Sequence, residues 1–157
     1  MSQIVAIDRI DKKILQSLQN DGRLANAALA TAVGLSESAC LRRVRQLESA
    51  GVIERYIAVI SAAHVGFTAS FMIRITLKAQ TDREMRAFEN AVMAVPEIAE
   101  CYLLTGEADY VLRVVARDTA DFERLHSKVL TKLPNVARVD SGLVLRTVTR
   151  SGGLPIA

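Results

Sequence analysis

Gly34 most restricts how this chain folds. It divides Ala25 to Gly51 into two short runs that can only be joined by a tight turn. Leu24, Ala28, Leu29, Ala32 and Val33 recur at roughly helical spacing before it, which predicts a helix with one apolar face. A glycine reaches positive φ at little cost and so ends such a helix well. Ser36 follows the turn, and its hydroxyl is placed to accept from the free N–H groups of a second helix. Glu37 suits that helix's positive first turn. The second helix is expected to run to Ser49 or Ala50 and to stop at Gly51.

The second helix carries the functional expectation. Cys40, Val44 and Leu47 stand at i, i+4 and i+7 and define its buried side. At about 100° per residue, Ser38, Arg42, Arg45 and Ser49 fall on the opposite side. That side carries two guanidiniums, two hydroxyls and no carboxylate. A guanidinium fork pairs bidentately with phosphate oxygens and with guanine edges. A helix-turn-helix with such a face is built to enter the major groove of double-stranded DNA. The plain alternative is a solvated face on an ordinary helix pair.

The run from Ile7 to Leu24, followed by Leu29 to Tyr56, resembles the N-terminal half of the Lrp/AsnC family of transcriptional regulators. The residues that carry the likeness are Asp8 and Asp11 before Ile14-Leu15, the Asp21-Gly22-Arg23 turn, Gly34-Leu35-Ser36, Arg43-Val44 to Leu47-Glu48, and Gly51-Val52-Ile53. Family members often open the first helix of the motif with a Ser-x-x-Glu box. Here those positions are Ala25 and Ala28, so Asn26 is expected to supply a weaker cap and the helix end to fray. With the likeness, the DNA-contacting candidates are Arg23, Ser36, Ser38, Arg42, Arg43, Arg45 and Ser49.

Ahead of the motif, Ile7, Ile10, Ile14 and Leu18 form an apolar stripe with Leu15 beside it, which predicts a helix from Asp8 to Asn20. Val52 to Ile60 changes period and reads as a strand. In the family that strand links two domains and pairs with its twin in a dimer. Ser61 to Thr68 is a turn holding His64.

From Ser70 the order becomes strand, helix, strand, strand, helix, strand. Phe71, Ile73, Ile75 and Leu77 alternate with Met72, Arg74, Thr76 and Lys78, as in a half-buried strand. Asp82 is expected to cap a helix bearing Met85, Phe88, Val92 and Val95, which Pro96 ends. Strands are expected over Ile98–Leu104, Tyr110–Val115 and Val136–Val148. A second helix follows a cap at Asp118 or Thr119, with Phe122, Leu125, Val129 and Leu133 on one side. This is the split βαβ, ferredoxin-like pattern. A sheet with both helices on one side leaves its other face bare, and Tyr102, Leu104 and Leu112 or Val111 give that face apolar area, which calls for a partner.

The fold class expected is therefore α+β: an N-terminal winged-helix-like helix-turn-helix domain (1–51), a linker strand and turn (52–67), a C-terminal ferredoxin-like βαββαβ (RAM) domain (68–150) and a loose tail (151–157). Glu100-Cys101-Tyr102, Leu104-Thr105-Gly106 and Asp109-Tyr110 resemble the effector-binding domain of the same family. Taken alone, Thr105 to Asp109 is ordinary hairpin chemistry between two central strands. The resemblance implies that an amino acid sits between dimers against this loop. Gly106 and Asp109 are its leading contacts, with Thr105, Thr119, Gly142 and Leu143 as further candidates. Gly142 stands where a leucine-responsive member carries a bulky aromatic, which points away from leucine. The resemblance further implies a homodimer that assembles to an octamer.

Composition narrows the alternatives. The chain has 157 residues, is 50% hydrophobic but only 4% aromatic, and has no Trp, so aromatic platforms for single-stranded nucleic acid are lacking. The net charge of +3 is compatible with DNA without requiring it. Cys40 and Cys101 have neither disulfide-framework nor metal spacing and read as thiols of a reducing compartment. The first residues do not form a signal peptide, and the uncharged run from Tyr56 to Ile73 is too interrupted for a membrane span. A cytoplasmic protein with no membrane contact is expected. No nucleophile with a partnered base, phosphate loop or dinucleotide fingerprint is present, so no catalytic residue, metal or cofactor is expected. Sirohaem decarboxylases share the two-domain shape and use a histidine in the second domain. His126 could take that place, but such enzymes have no use for Arg42 and Arg45, and a helix-packing role is the reading favoured for it.

Overall fold

The computed structural model of the chain describes residues 6–149 and 153–156. Two compact units result. One holds the described residues up to Val59 together with Thr149 and 153–156, and the other is Ile60–Val148.

The first unit contains three helices: α1 (Arg9–Asn20), α2 (Asn26–Val33) and α3 (Glu37–Ser49). Asp8 caps α1 in a reciprocal arrangement. Its carboxylate accepts from the Ile10 and Asp11 N–H groups, while the Asp11 carboxylate accepts from the Asp8 N–H. Gly34 takes φ 75° at the end of α2, and Ser36 caps α3 by accepting from the Ala39 N–H. The three helices bury Ile14, Leu15, Leu29, Ala30, Val33, Cys40 and Leu47 as one core. Ala28 and Ala32, expected on the apolar face of α2, are exposed, and Ala30 is buried instead. Ala25 gives α2 no side-chain cap. Asn26 does not replace it: its amide donates to the Glu37 carbonyl at 2.9 Å and so ties the start of α2 to the start of α3.

The expected strand over Val52–Ile60 is not formed. Residues 54–60 carry no ladder, and Tyr56, Ile57, Val59 and Ile60 lie exposed. A lone extended segment has no neighbour to satisfy its N–H and C=O groups, so strand pairing there requires a second chain. Tyr56 is anchored at its tip, where its hydroxyl donates to Glu48. The expected loose tail also differs: the Leu154 and Ile156 carbonyls accept from Gln19 and Gln16 of α1, and Ile156 packs on the helical core. Residues 151, 152 and 157 lie outside the described residues.

The second unit begins with a single 3-10 turn, Ala63–Val65. It continues as β1 (Ala69–Leu77), α4 (Asp82–Met93), β2 (Ile98–Leu103), β3 (Tyr110–Ala116), α5 (Thr119–Lys128) and β4 (Val136–Leu143). The sheet is antiparallel with order β2-β3-β1-β4, as the split βαβ pattern requires. Alternation along β1 and β3 sends Phe71, Ile73, Ile75, Leu77, Tyr110, Leu112, Val114 and Ala116 inward, where Phe88, Val92 and Leu125 from the two helices meet them. Leu112 thus belongs to the core and only Val111 to the open face. Thr81, not Asp82, caps α4, because its hydroxyl accepts from the Glu84 N–H. Asp118 caps α5. Both β2 and β4 end earlier than expected, at Leu103 and Leu143. The Thr105–Asp109 hairpin joins an edge strand, β2, to a central one, β3, instead of two central strands.

Candidate nucleic-acid interface and effector site

On α3 the buried side is Cys40 and Leu47 with Val44 half-buried, so the opposite side faces outward. Ser38, Arg42, Arg45 and Ser49 are all exposed there, and with Leu41 and Gln46 they line a shallow groove of about 570 Å³. Arg42 makes one long contact, 3.4 Å to the Gln46 amide oxygen, and Arg45 has no side-chain partner among the described residues. Neither guanidinium is in an ion pair among the described residues, which leaves both charges free for phosphate or base.

Arg43 behaves differently. It is placed 140° around the helix from Ser38, and its Nη1 lies 2.7 Å from Asp8 and 2.8 Å from Asp11. The Asp11 and Asp8 hydrogen bonds raise its pKa further. The Asp8 carboxyl is held below its ordinary range, first by the Asp11 N–H and then by Arg43. Arg43 thus ties α3 to the start of α1, and its guanidinium, unlike those of Arg42 and Arg45, is paired with carboxylates. The pair of aspartates three residues apart was the available signal for this. Ser36 spends its hydroxyl on the Ala39 N–H and on Ser38. Arg23 sits exposed on the turn that the Asp21 carboxylate closes through the Arg23 N–H. Sequence reasoning passed over Leu41 and Gln46, although i+3 and i+8 from Ser38 place them on or beside the same stripe.

In the second unit, Asp109 is buried, with 8% exposure. Both its oxygens are engaged: one accepts from the Leu77 N–H at 2.7 Å, the other from the Gln80 amide at 2.7 Å. It therefore organises the end of β1 as well as the hairpin. Gly106 takes φ 127°, a conformation that a side chain would strain. Asp109, Gln80 and Thr105, with Leu77, Met85, Leu103 and Leu104, line a cleft of about 280 Å³. The remaining candidates lie elsewhere. Thr119 follows the far end of β3, about 20 Å from Asp109 at a strand's usual rise. Gly142 and Leu143 pair with Met72 and Phe71, toward that same far end. One chain does not gather the six residues into one pocket.

The open face of the sheet is mixed. Cross-strand rows place Tyr102, Val111, Arg74 and Asp140 side by side, and Glu100, Arg113, Met72 and Gly142 in the next row. Arg74 pairs with Asp140 and Arg113 with Glu100. His126 on α5 lies 6.0 Å from the Phe122 ring, a packing contact. Among the described residues no group of three or more metal-ligating side chains occurs, and no helix is long and apolar enough to cross a membrane.

A three-helix unit with an uncommitted basic recognition helix, followed by a ferredoxin-like unit with an open sheet face, defines a helix-turn-helix regulator carrying a ligand-binding domain. Residues 7–54 match the winged helix-turn-helix DNA-binding model, and residues 70–154 match the Lrp/AsnC ligand binding domain. The chain belongs to the Lrp/AsnC family of transcriptional regulators, which are not enzymes. It is 40% identical over 144 residues to the leucine-responsive regulatory protein of Rhizobium meliloti, covering 92% of both chains. Its fold matches that of transcriptional regulator NMB0573 of Neisseria meningitidis in complex with L-Met, with TM-score 0.91, 35% identity and coverage of 96% and 97% of the two chains. It also matches the feast or famine regulatory protein of M. tuberculosis complexed with L-methionine, with TM-score 0.84, 35% identity and coverage of 97% and 100%.

Proposed function

We propose that this regulator reads double-stranded DNA with the outer stripe of α3 and that an amino acid modulates its DNA binding or assembly in the cytoplasm. The observation that carries the first half is the pair of unspent guanidiniums, Arg42 and Arg45, flanked by Ser38 and Ser49 on a helix whose other side is core. Arg23 supplies a phosphate contact from the neighbouring turn, and Ser36 contributes by holding the start of α3. One such motif reads too few base pairs for useful specificity, so a homodimer is required. The exposed apolar linker, Tyr56 to Ile60, is the pairing strand of that dimer. Dimers associate further, to an octamer, through the ligand-binding domains.

The effector sits against the Thr105–Asp109 loop, between copies. The distance of about 20 Å along β3 between Asp109 and Thr119 supports a site completed by more than one chain, and two relatives bound to methionine support an amino acid as the ligand. Gly106 provides close backbone approach. Asp109 retains lone pairs for a ligand ammonium group beside its two internal bonds. Those internal bonds also favour a second reading, in which the loop is structural and the chain assembles on DNA without a ligand.

The deciding experiment is fluorescence anisotropy on DNA from upstream of the protein's own gene, titrated with salt and repeated with each common amino acid. Tight, salt-sensitive binding that one amino acid shifts is the expected result. Arg45→Ala weakens that binding and lowers the salt slope by about 1 for each half-site, about 2 for the bound dimer. Binding that no amino acid shifts favours the ligand-free reading. An unchanged slope in Arg45→Ala overturns the groove-facing assignment.

A further inference from the structure

Leu41 is an apolar side chain in a polar groove. It is 38% exposed, and it is absent from the helical core to which Cys40, Val44 and Leu47 of α3 contribute. Its neighbours along the stripe are Ser38, Arg42, Arg45, Gln46 and Ser49. On the helix, Leu41 lies within about 100° of Ser38, Arg42, Arg45 and Ser49, near one edge of the arc that Arg42 closes on the other. Gln46 stands outside that arc, beyond Arg42, and its amide oxygen accepts from Arg42 at 3.4 Å.

A groove with this lining meets a ligand that is polyanionic and polar but carries one apolar group opposite Leu41. Base edges in the major groove offer one such group, the C5 methyl of thymine. We infer that Leu41 is a specificity-determining residue that packs on a thymine methyl in each half-site, beside the bases or phosphates taken by Arg42 and Arg45. This inference rests on the DNA-reading role of α3 proposed above and adds to it one feature of the operator. The hydroxyls and guanidiniums position the helix, while Leu41 discriminates thymine from cytosine, whose edge presents an amino group and no methyl.

The test uses the full-length protein and a duplex that it selects from a random-sequence pool. Each thymine is replaced singly by deoxyuridine, which removes the methyl and leaves pairing intact. Anisotropy is then read for the wild type and for Leu41→Ala. The wild type is expected to lose about fourfold in affinity at one thymine of each half-site, the value of burying one methyl group. Leu41→Ala is expected to bind the thymine and uracil duplexes equally. Its exposed helical position keeps the fold, which circular dichroism checks.

Uracil sensitivity that persists in Leu41→Ala, or none at any thymine in the wild type, overturns the assignment and leaves DNA reading by α3 in place. A Leu41→Ala protein that binds DNA normally but changes its assembly state in sedimentation also overturns it, placing a protein surface on Leu41. Failure to select any sequence overturns the DNA-reading role itself.

Discussion

The salt link from Arg43 to Asp8 and Asp11 shows how one side chain changes meaning with its partners. As an arginine on a recognition helix it reads as a DNA contact. Held by two carboxylates, it becomes a brace between α3 and α1. Asp8 also gives this brace a pH dependence. Its folded pKa lies below the ordinary value near 3.8, so its contribution is complete above that pH and is lost as pH falls through the folded value. Thermal melts should therefore show the helical unit weakening below about pH 4, and Asp8→Asn should flatten that dependence. Asp109 is the second case. Asp109→Ala strands the buried Leu77 N–H and should cost about 1–3 kcal/mol of stability. Asp109→Asn keeps one acceptor and most of the fold while removing the charge. A normal melt with a lost amino-acid response in Asp109→Asn would assign the carboxylate to the ligand; an intact response would assign it to the loop.

Elements were read from the sequence where their cause is local. The helices of the first unit, the alternation of β1 and the glycine at the end of α2 follow from spacing and turn chemistry within a few residues. The linker shows where that stops. Its apolar, β-branched residues resemble a strand, yet a strand exists only when a neighbour takes its backbone hydrogen bonds. Val59, at 81% exposure, is the most solvent-accessible of the linker's large apolar residues. Val59→Asp should split the dimer, raising the monomer fraction in sedimentation at micromolar concentration while each unit stays folded. A dimer that survives this change would place the association elsewhere. The caps tell a similar story on a smaller scale. Thr81 and Asp82 are adjacent and both able to cap, and only the backbone path of the β1–α4 turn selects Thr81.

At the scale of the whole molecule, two separate cores share no residue. The chain returns to the first of them at its end, where Ile156 packs against the helical core and Gln16 and Gln19 of α1 bond to the backbone of the tail. Ile156→Asp should lower the melting temperature of the helical unit and leave the ligand-binding unit unchanged, as resolved by hydrogen exchange of α1 against β1. Effector control is also a property of this scale. A ligand bound between copies alters DNA binding only by preferring one assembly state. The coupling expected, about 1–3 kcal/mol, corresponds to a 5–150-fold shift. Because such coupling is reciprocal, operator DNA should change the amino acid's calorimetric affinity by the same factor.

The sequence by itself determined the two-part architecture, the order of elements, the side of α3 that is buried and the stripe that is not. Each depends on periodicity or on the preferences of a glycine, serine or aspartate at a turn, and these act between near neighbours. Only the tertiary structure decided the pairing of Arg43 with residues 32 and 35 positions earlier, the double bonding of Asp109 to Leu77 and Gln80, and the docking of 153–156 on α1. It also decided that Thr119, Gly142 and Leu143 lie away from the Thr105–Asp109 hairpin. Such pairings depend on where distant segments meet. Charged and amide side chains carry no periodic signature of their partners, whereas apolar residues announce their common side.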